Sequence, residues 1–181
     1  ITGATTIATT AETGVYTVTL NNQGATIAGS TAVYEKYNTG VYKENSCTNK
    51  MTETANSIIK PQRQYTVTYE ASEGTVTTKS STAIYTFGGY YTETNGSGTQ
   101  MINANGFITT NFTNTKYTAN ATIYAKWTET GVTLPTATRA GYTFKGWATT
   151  NTATESEYTA GDQYIPKAEI TLYAVWVDDI A

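Results

Sequence analysis

The chain has no histidine and a single cysteine, Cys47. The missing histidine excludes Ser-His and Cys-His nucleophile pairs and every histidine-based metal site. One cysteine rules out an internal disulfide framework and a multi-cysteine zinc site. Cys47 itself reads as an incidental small residue, because a reactive thiol needs an electropositive neighbourhood. Aspartate occurs only as Asp162, Asp178 and Asp179, so no Asp-x-Asp-x-Asp calcium loop exists. Charged residues make up just 14% of the chain, the net charge is −3 and no Lys/Arg cluster occurs. Nucleic acid and membrane insertion are therefore not expected as partners. Apolar runs such as residues 170–177 are of strand length and too short to cross a bilayer. Leucine is scarce and stretches of strong helix formers are missing, which argues against a helical protein.

What is present favours strands. Threonine dominates the polar residues, and 15 Tyr stand against 4 Phe and 3 Trp, a bias that suits a pleated, half-buried surface. Two stretches alternate and break at a glycine-ended turn. Val15 to Leu20 lead into Gly24 and a return over 25–34; Gln64 to Tyr69 lead into Gly74 and a return over 75–79. These are the front hairpins. Between them Met51, Ala55, Ile58 and Ile59 fall at helical spacing and Pro61 would stop a helix, so the spacing predicts one short helix over about 47–60.

Further on the chain repeats itself. Residues 85–90 read Tyr-Thr-Phe-Gly-Gly-Tyr and residues 142–147 read Tyr-Thr-Phe-Lys-Gly-Trp. Each is followed by a closing strand, Ile123-Tyr-Ala-Lys-Trp127 or Leu172-Tyr-Ala-Val-Trp176. Alternation puts Ile123, Ala125 and Trp127 on one face and Tyr124 on the other, with Leu172, Ala174, Trp176 and Tyr173 arranged alike. The order is front, front, back, back. A linker at 1–13, an elaborated first unit at 14–127 and a partial second unit at 128–177 follow from it. Either residues 62–83 are an insertion in the first unit, or the units share or exchange strands.

The stretch from Thr133 through Leu134, Pro135, Arg139, Gly141 and Tyr142 to Trp147, closing at Trp176, resembles the Listeria–Bacteroides repeat, or internalin B-type B-repeat. The first copy is similar through Phe87 to Tyr91, 95–100 and Ile123 to Trp127, and Val18 to Gly24 looks like the start of such a repeat. The resemblance implies a mainly β chain of β-grasp-like, strand-rich modules, arrayed in tandem on secreted or surface-anchored bacterial proteins. It also implies an extracellular or cell-surface location, adhesive or spacer work without catalysis, and no cofactor. Neighbouring repeats of the parent chain and a host or cell-wall protein or glycan are the implied partners.

Candidate chemistry is thin. Glu70 and Glu73 fall at a hairpin turn and Glu155 and Glu157 in a Thr-rich loop, whereas a catalytic carboxylate needs a partly desolvated cleft. Asn103, Asn105 and Gly106 could offer carbonyl oxygens to calcium but read as a plain turn. Residues 134–137 start like a sorting signal, but Ala137 and the missing hydrophobic tail make them a repeat element. The remaining prospect is an aromatic surface for sugar or protein formed by Tyr90, Tyr91, Tyr124, Trp147 and Tyr173. Set against it, Phe87, Phe144, Trp127 and Trp176 read as the core of small modules.

Overall fold

The computed structural model describes residues 14–180; the expected linker at 1–13 lies outside them. The chain is mainly β and divides into two compact units. Residues 14–63 and Thr86–Thr128 form the first, and Gln64–Tyr85 and residues 129–180 form the second.

In the first unit, β1 (Val15–Asn21) pairs antiparallel with β2 (Ala32–Lys36), which pairs with β3 (Gly40–Tyr42). On its other edge β1 runs parallel to β8 (Ala121–Thr128). β8 pairs with β6 (Thr86–Tyr91), and β6 with β7 (Gln100–Ile102). The second unit has the same plan. β4 (Gln64–Glu70) pairs antiparallel with β5 (Ser80–Ile84) and parallel with β12 (Ile170–Asp178), which carries β10 (Tyr142–Ala148). A two-stranded ribbon of β9 (Val132–Thr133) and β11 (Gln163–Tyr164) completes it.

The segment Gln64–Tyr85 thus both interrupts the first unit and supplies the front hairpin of the second. Residues 128–177 do not stand as a unit of their own: β12 needs β4 as its parallel neighbour.

The two sheets close in the same way. β1 and β4 share one burial pattern, with Val18 and Leu20, or Val67 and Tyr69, turned inward. Opposite the start of each front strand, a side chain just before the closing strand accepts a backbone N–H. Asn120 Oδ1 takes that of Thr17 at 2.9 Å, and Glu169 Oε2 takes that of Thr66 at 3.0 Å, each across 103 residues. At the other end the closing tryptophan reaches back to the front loop. Trp127 Nε1 donates to Asn22 O at 2.8 Å and Trp176 Nε1 to Ala71 O at 2.9 Å, each across 105 residues.

Those loops are wider than the sequence suggests. The return strands begin at Ala32 and Ser80, not at 25 and 75. The intervening residues are drawn off by the approach segments: Thr26 and Ile27 donate to Gln62 O, and Thr75 and Thr138 exchange both backbone bonds. At Gly74 a Cβ would stand 2.4 Å from the Trp176 ring, so the loop backbone comes close against the indole.

The helix expected at 47–60 does not form. Its Thr and Asn residues are weak helix interiors, and the backbone bonds outward instead: Met51 N to Val41 O, Ile58 N to Gly106 O and Ile59 N to Ser30 Oγ. Asn56 sits at φ 56°, which breaks any helical run. The short α1 is at Thr110–Thr115, holding Phe112 in the core and ending at Lys116 with φ 51°.

If the indoles close the two units equivalently, Trp127→Ala and Trp176→Ala should each cost about 3 kcal/mol, the low end for a large aromatic because both rings keep some exposure. The Phe variants, which lose only the N–H bond and some area, should cost about 1 kcal/mol. Urea unfolding of the four variants measures this, and unequal losses between the units would disprove the equivalence.

Candidate functional site

The five aromatics expected at a surface divide between the two sides of the sheets. Tyr90 and Trp147 are both 0% exposed. The cause is register. Tyr90 lies opposite Ala125 and Trp147 opposite Ala174, and residues directly opposite share a face. Each ring therefore fills the core above a small alanine. A bulge before each ring sets this register, at Gly89 (φ 98°) and Gly146 (φ 137°). A Cβ there would come within 2.3 Å of Ile102 O or 2.2 Å of Tyr158 O, so only glycine fits.

Tyr91 and Tyr124 face each other across β6 and β8 on the outer side, half-buried. Gln100 Nε2 donates to Tyr91 Oη at 3.2 Å, and Lys126 Nζ lies 5.9 Å from the Tyr91 ring centre. Tyr173, also half-buried, is on β12 in the second unit, beside Ala148 and Glu70. An outward pair in the first unit and a single ring in the second are what remain of the expected surface.

The carboxylates weighed from sequence are exposed and engaged in ordinary ways. Glu73 meets Arg139 at 2.8 Å and Glu155 meets Lys145 at 3.0 Å. Glu70 accepts the Ser72 N–H, and Glu157 accepts the N–H and hydroxyl of Thr149, which hold its carboxyl below the usual range. Asn103 Oδ1 accepts from the N–H groups of Asn105 and Phe107, closing a tight turn.

The carboxylate that stands apart is Glu35. Among the described residues it is the one buried charged side chain, at 3% exposure. Strand alternation turns Val33 and Glu35 of β2 to the same inner face. Glu35 Oε1 accepts the Tyr117 N–H at 3.1 Å, just past the end of α1. Burial pushes its carboxyl up to about 7, against the pull of that N–H and of the Lys116 ammonium. Glu35 also lines a cavity of about 230 Å³ in the first unit, with Val41, Met51 and Ile108 as apolar wall and Lys50 and Lys116 as cations. Its position beside Val33 in an alternating strand was the one sequence signal for it. Without the far side of the cavity, that signal reads as a polar residue at a strand end.

Residues 128–175 match the family model described as the Listeria-Bacteroides repeat domain, a repeat typical of bacterial surface proteins. The match covers the closing part of the second unit and includes the stretch from Thr133 to Trp147 that carries the resemblance. Comparison with curated proteins and with solved structures found no match. Among the described residues no helix is long and apolar enough to cross a membrane.

Two outcomes follow from these burials. Because the Glu35 carboxyl is raised in the folded state, its contribution is greatest below about pH 4.5 and is lost as pH rises through about 7. The loss is on the order of 3 kcal/mol. The difference in stability between the natural chain and Glu35→Gln, followed by thermal unfolding across that range, should show this slope; a flat difference would contradict it. The Tyr90 hydroxyl is buried, finds no hydrogen-bond partner among the described residues and is pushed up to about 12 by burial. Tyr90→Phe should therefore raise stability by about 1 kcal/mol, the cost of an unpaired buried hydroxyl. A loss in urea unfolding would show that the hydroxyl is satisfied in solution.

Proposed function

We propose that the chain is a non-catalytic extracellular module of a bacterial surface protein, serving as a spacer or adhesive element. The observation that carries this reading is the duplicated closure. Two units reuse one parallel strand pair, one polar contact across 103 residues and one indole bond across 105. The exposed carboxylates weighed from sequence are held in surface ion pairs and turns, outside the partly desolvated cleft that proton transfer needs. The family match at 128–175 supports the same reading.

A second reading has its own observation. Tyr91 and Tyr124 form an outward pair that a sugar ring could stack on, in the manner of a carbohydrate-binding module.

The purified chain, incubated with bacterial cell-wall and host polysaccharides and with peptide libraries, is expected to release no product. Sustained turnover by any of them would overturn the module reading. On a glycan array the sugar reading expects binding that Tyr91→Ala and Tyr124→Ala abolish; an array without binding removes it.

A further inference from the structure

The fold does not require a carboxylate where Glu35 stands. Glu35 lies opposite Tyr16 in the first hairpin, and the corresponding place in the second hairpin, opposite Tyr65, is Ala83. Ala83 is fully buried, so the same inward position closes well with a methyl group. The first unit instead buries an ionisable group, which is costly unless something compensates it. The bond from Tyr117 N–H is one compensation, but a neutral amide oxygen would accept it equally well. A carboxylate has room for several more donors.

The surroundings describe what those donors belong to. Glu35 opens on the cavity, and so do two cations on separate segments, Lys50 and Lys116. Lys116 is held at the left-handed end of α1, one residue before the amide that Glu35 accepts. Lys50 lays its stem on Gly40, where a Cβ would come within 2.5 Å of Lys50 Cε. Val41, Met51 and Ile108 give the same cavity an apolar wall. With one negative and two positive groups, a simple cation meets repulsion at the lysines and a simple anion meets it at Glu35. A volume of about 230 Å³ is below the usual range for drug-sized ligands and suits a small molecule.

We infer that the cavity of the first unit binds a small zwitterion of the α-amino-acid class, with the ligand ammonium on the Glu35 carboxylate and the ligand carboxylate toward Lys50 and Lys116. The ligand then supplies the donors that the buried carboxylate lacks, and its short side chain lies on the Val41, Met51 and Ile108 wall. Binding requires Glu35 ionised, so it takes place with release of a proton wherever the empty site holds one. Among the described residues, Lys50 and Lys116 line the cavity with Glu35, Tyr117 donates its N–H to it and Tyr16 stands opposite it in the hairpin.

Titration calorimetry and ligand-observed NMR on the full chain, with glycine, alanine and serine as probes, test this. Lactate and ethylamine serve as analogues that each lack one charge. The amino acids are expected to bind at about pH 8 and to weaken as pH falls toward about 6. Lactate and ethylamine should bind at least about tenfold more weakly, as should the amino acids to Glu35→Gln, the loss of one charge-assisted hydrogen bond. Glutamine keeps the oxygen that accepts the Tyr117 N–H, so that variant should retain the native spectrum. Lys116→Ala, an exposed change, should weaken the amino acids but not ethylamine, a cation that the lysine repels. The inference is overturned if none of the amino acids binds, if Glu35→Gln binds them as the natural chain does, or if ethylamine binds as tightly as alanine.

Discussion

Each unit depends on one parallel pairing, between its first strand and its last. Parallel neighbours cannot be joined by a tight turn, so the chain between them must leave the sheet and return. Here the return is long: the contacts that fasten the two strands span 103 and 105 residues in both units. That length makes the interleaving workable. Whatever lies between first and last strand can contain part of the other unit, provided both strands reach their registers. The tryptophan bond to the front loop and the side-chain bond to the first strand fasten the two ends of that pair. Front loops, bulges and approach segments are arranged around them.

Around this shared frame the units differ where the frame is indifferent. Trp147 donates its indole N–H to Pro135 O at 2.7 Å, whereas Tyr90, in the same place opposite an alanine, leaves its hydroxyl unpaired. The second unit has a small ribbon where the first carries α1 and a third outer strand. Ala83 and Glu35 are the sharpest contrast, since one position holds a buried methyl group and the other a carboxyl against a cavity. A duplicated scaffold allows such divergence, because the frame holds while one copy takes on a new group.

Much of the architecture was legible along the chain. Alternation identified β1, β4, β8 and β12, and placed Ile123 and Ala125 opposite in facing to Tyr124. The repeated Tyr-Thr-Phe motif and closing tryptophan identified the twin back halves. Less legible were features set by distant partners. Thr26, Ile27 and Thr75 lie in stretches of strand composition, yet their backbone groups go to Gln62 and Thr138, so the return strands start later. Residues 47–60 carry helical spacing, yet they bond to β3, to Ser30 and to Gly106.

The aromatic surface shows the division most clearly. Tyr90 and Tyr91 are adjacent in one strand and must face opposite ways. The sequence by itself determined the strand content, the repeat and the absence of histidine chemistry, and strand alternation leaves room for only one of the two rings outside, against the expectation that placed both at the surface. Which one went inside was decided by tertiary structure, through the bulges at Gly89 and Gly146 that set the register against Ala125 and Ala174. Likewise no local pattern could tell that Glu35 would be enclosed by Lys50, Ile108 and Lys116, because those residues arrive from segments far along the chain. Period-two alternation is a local property of the backbone; register, enclosure and the pairing of front with back are settled only by what stands opposite.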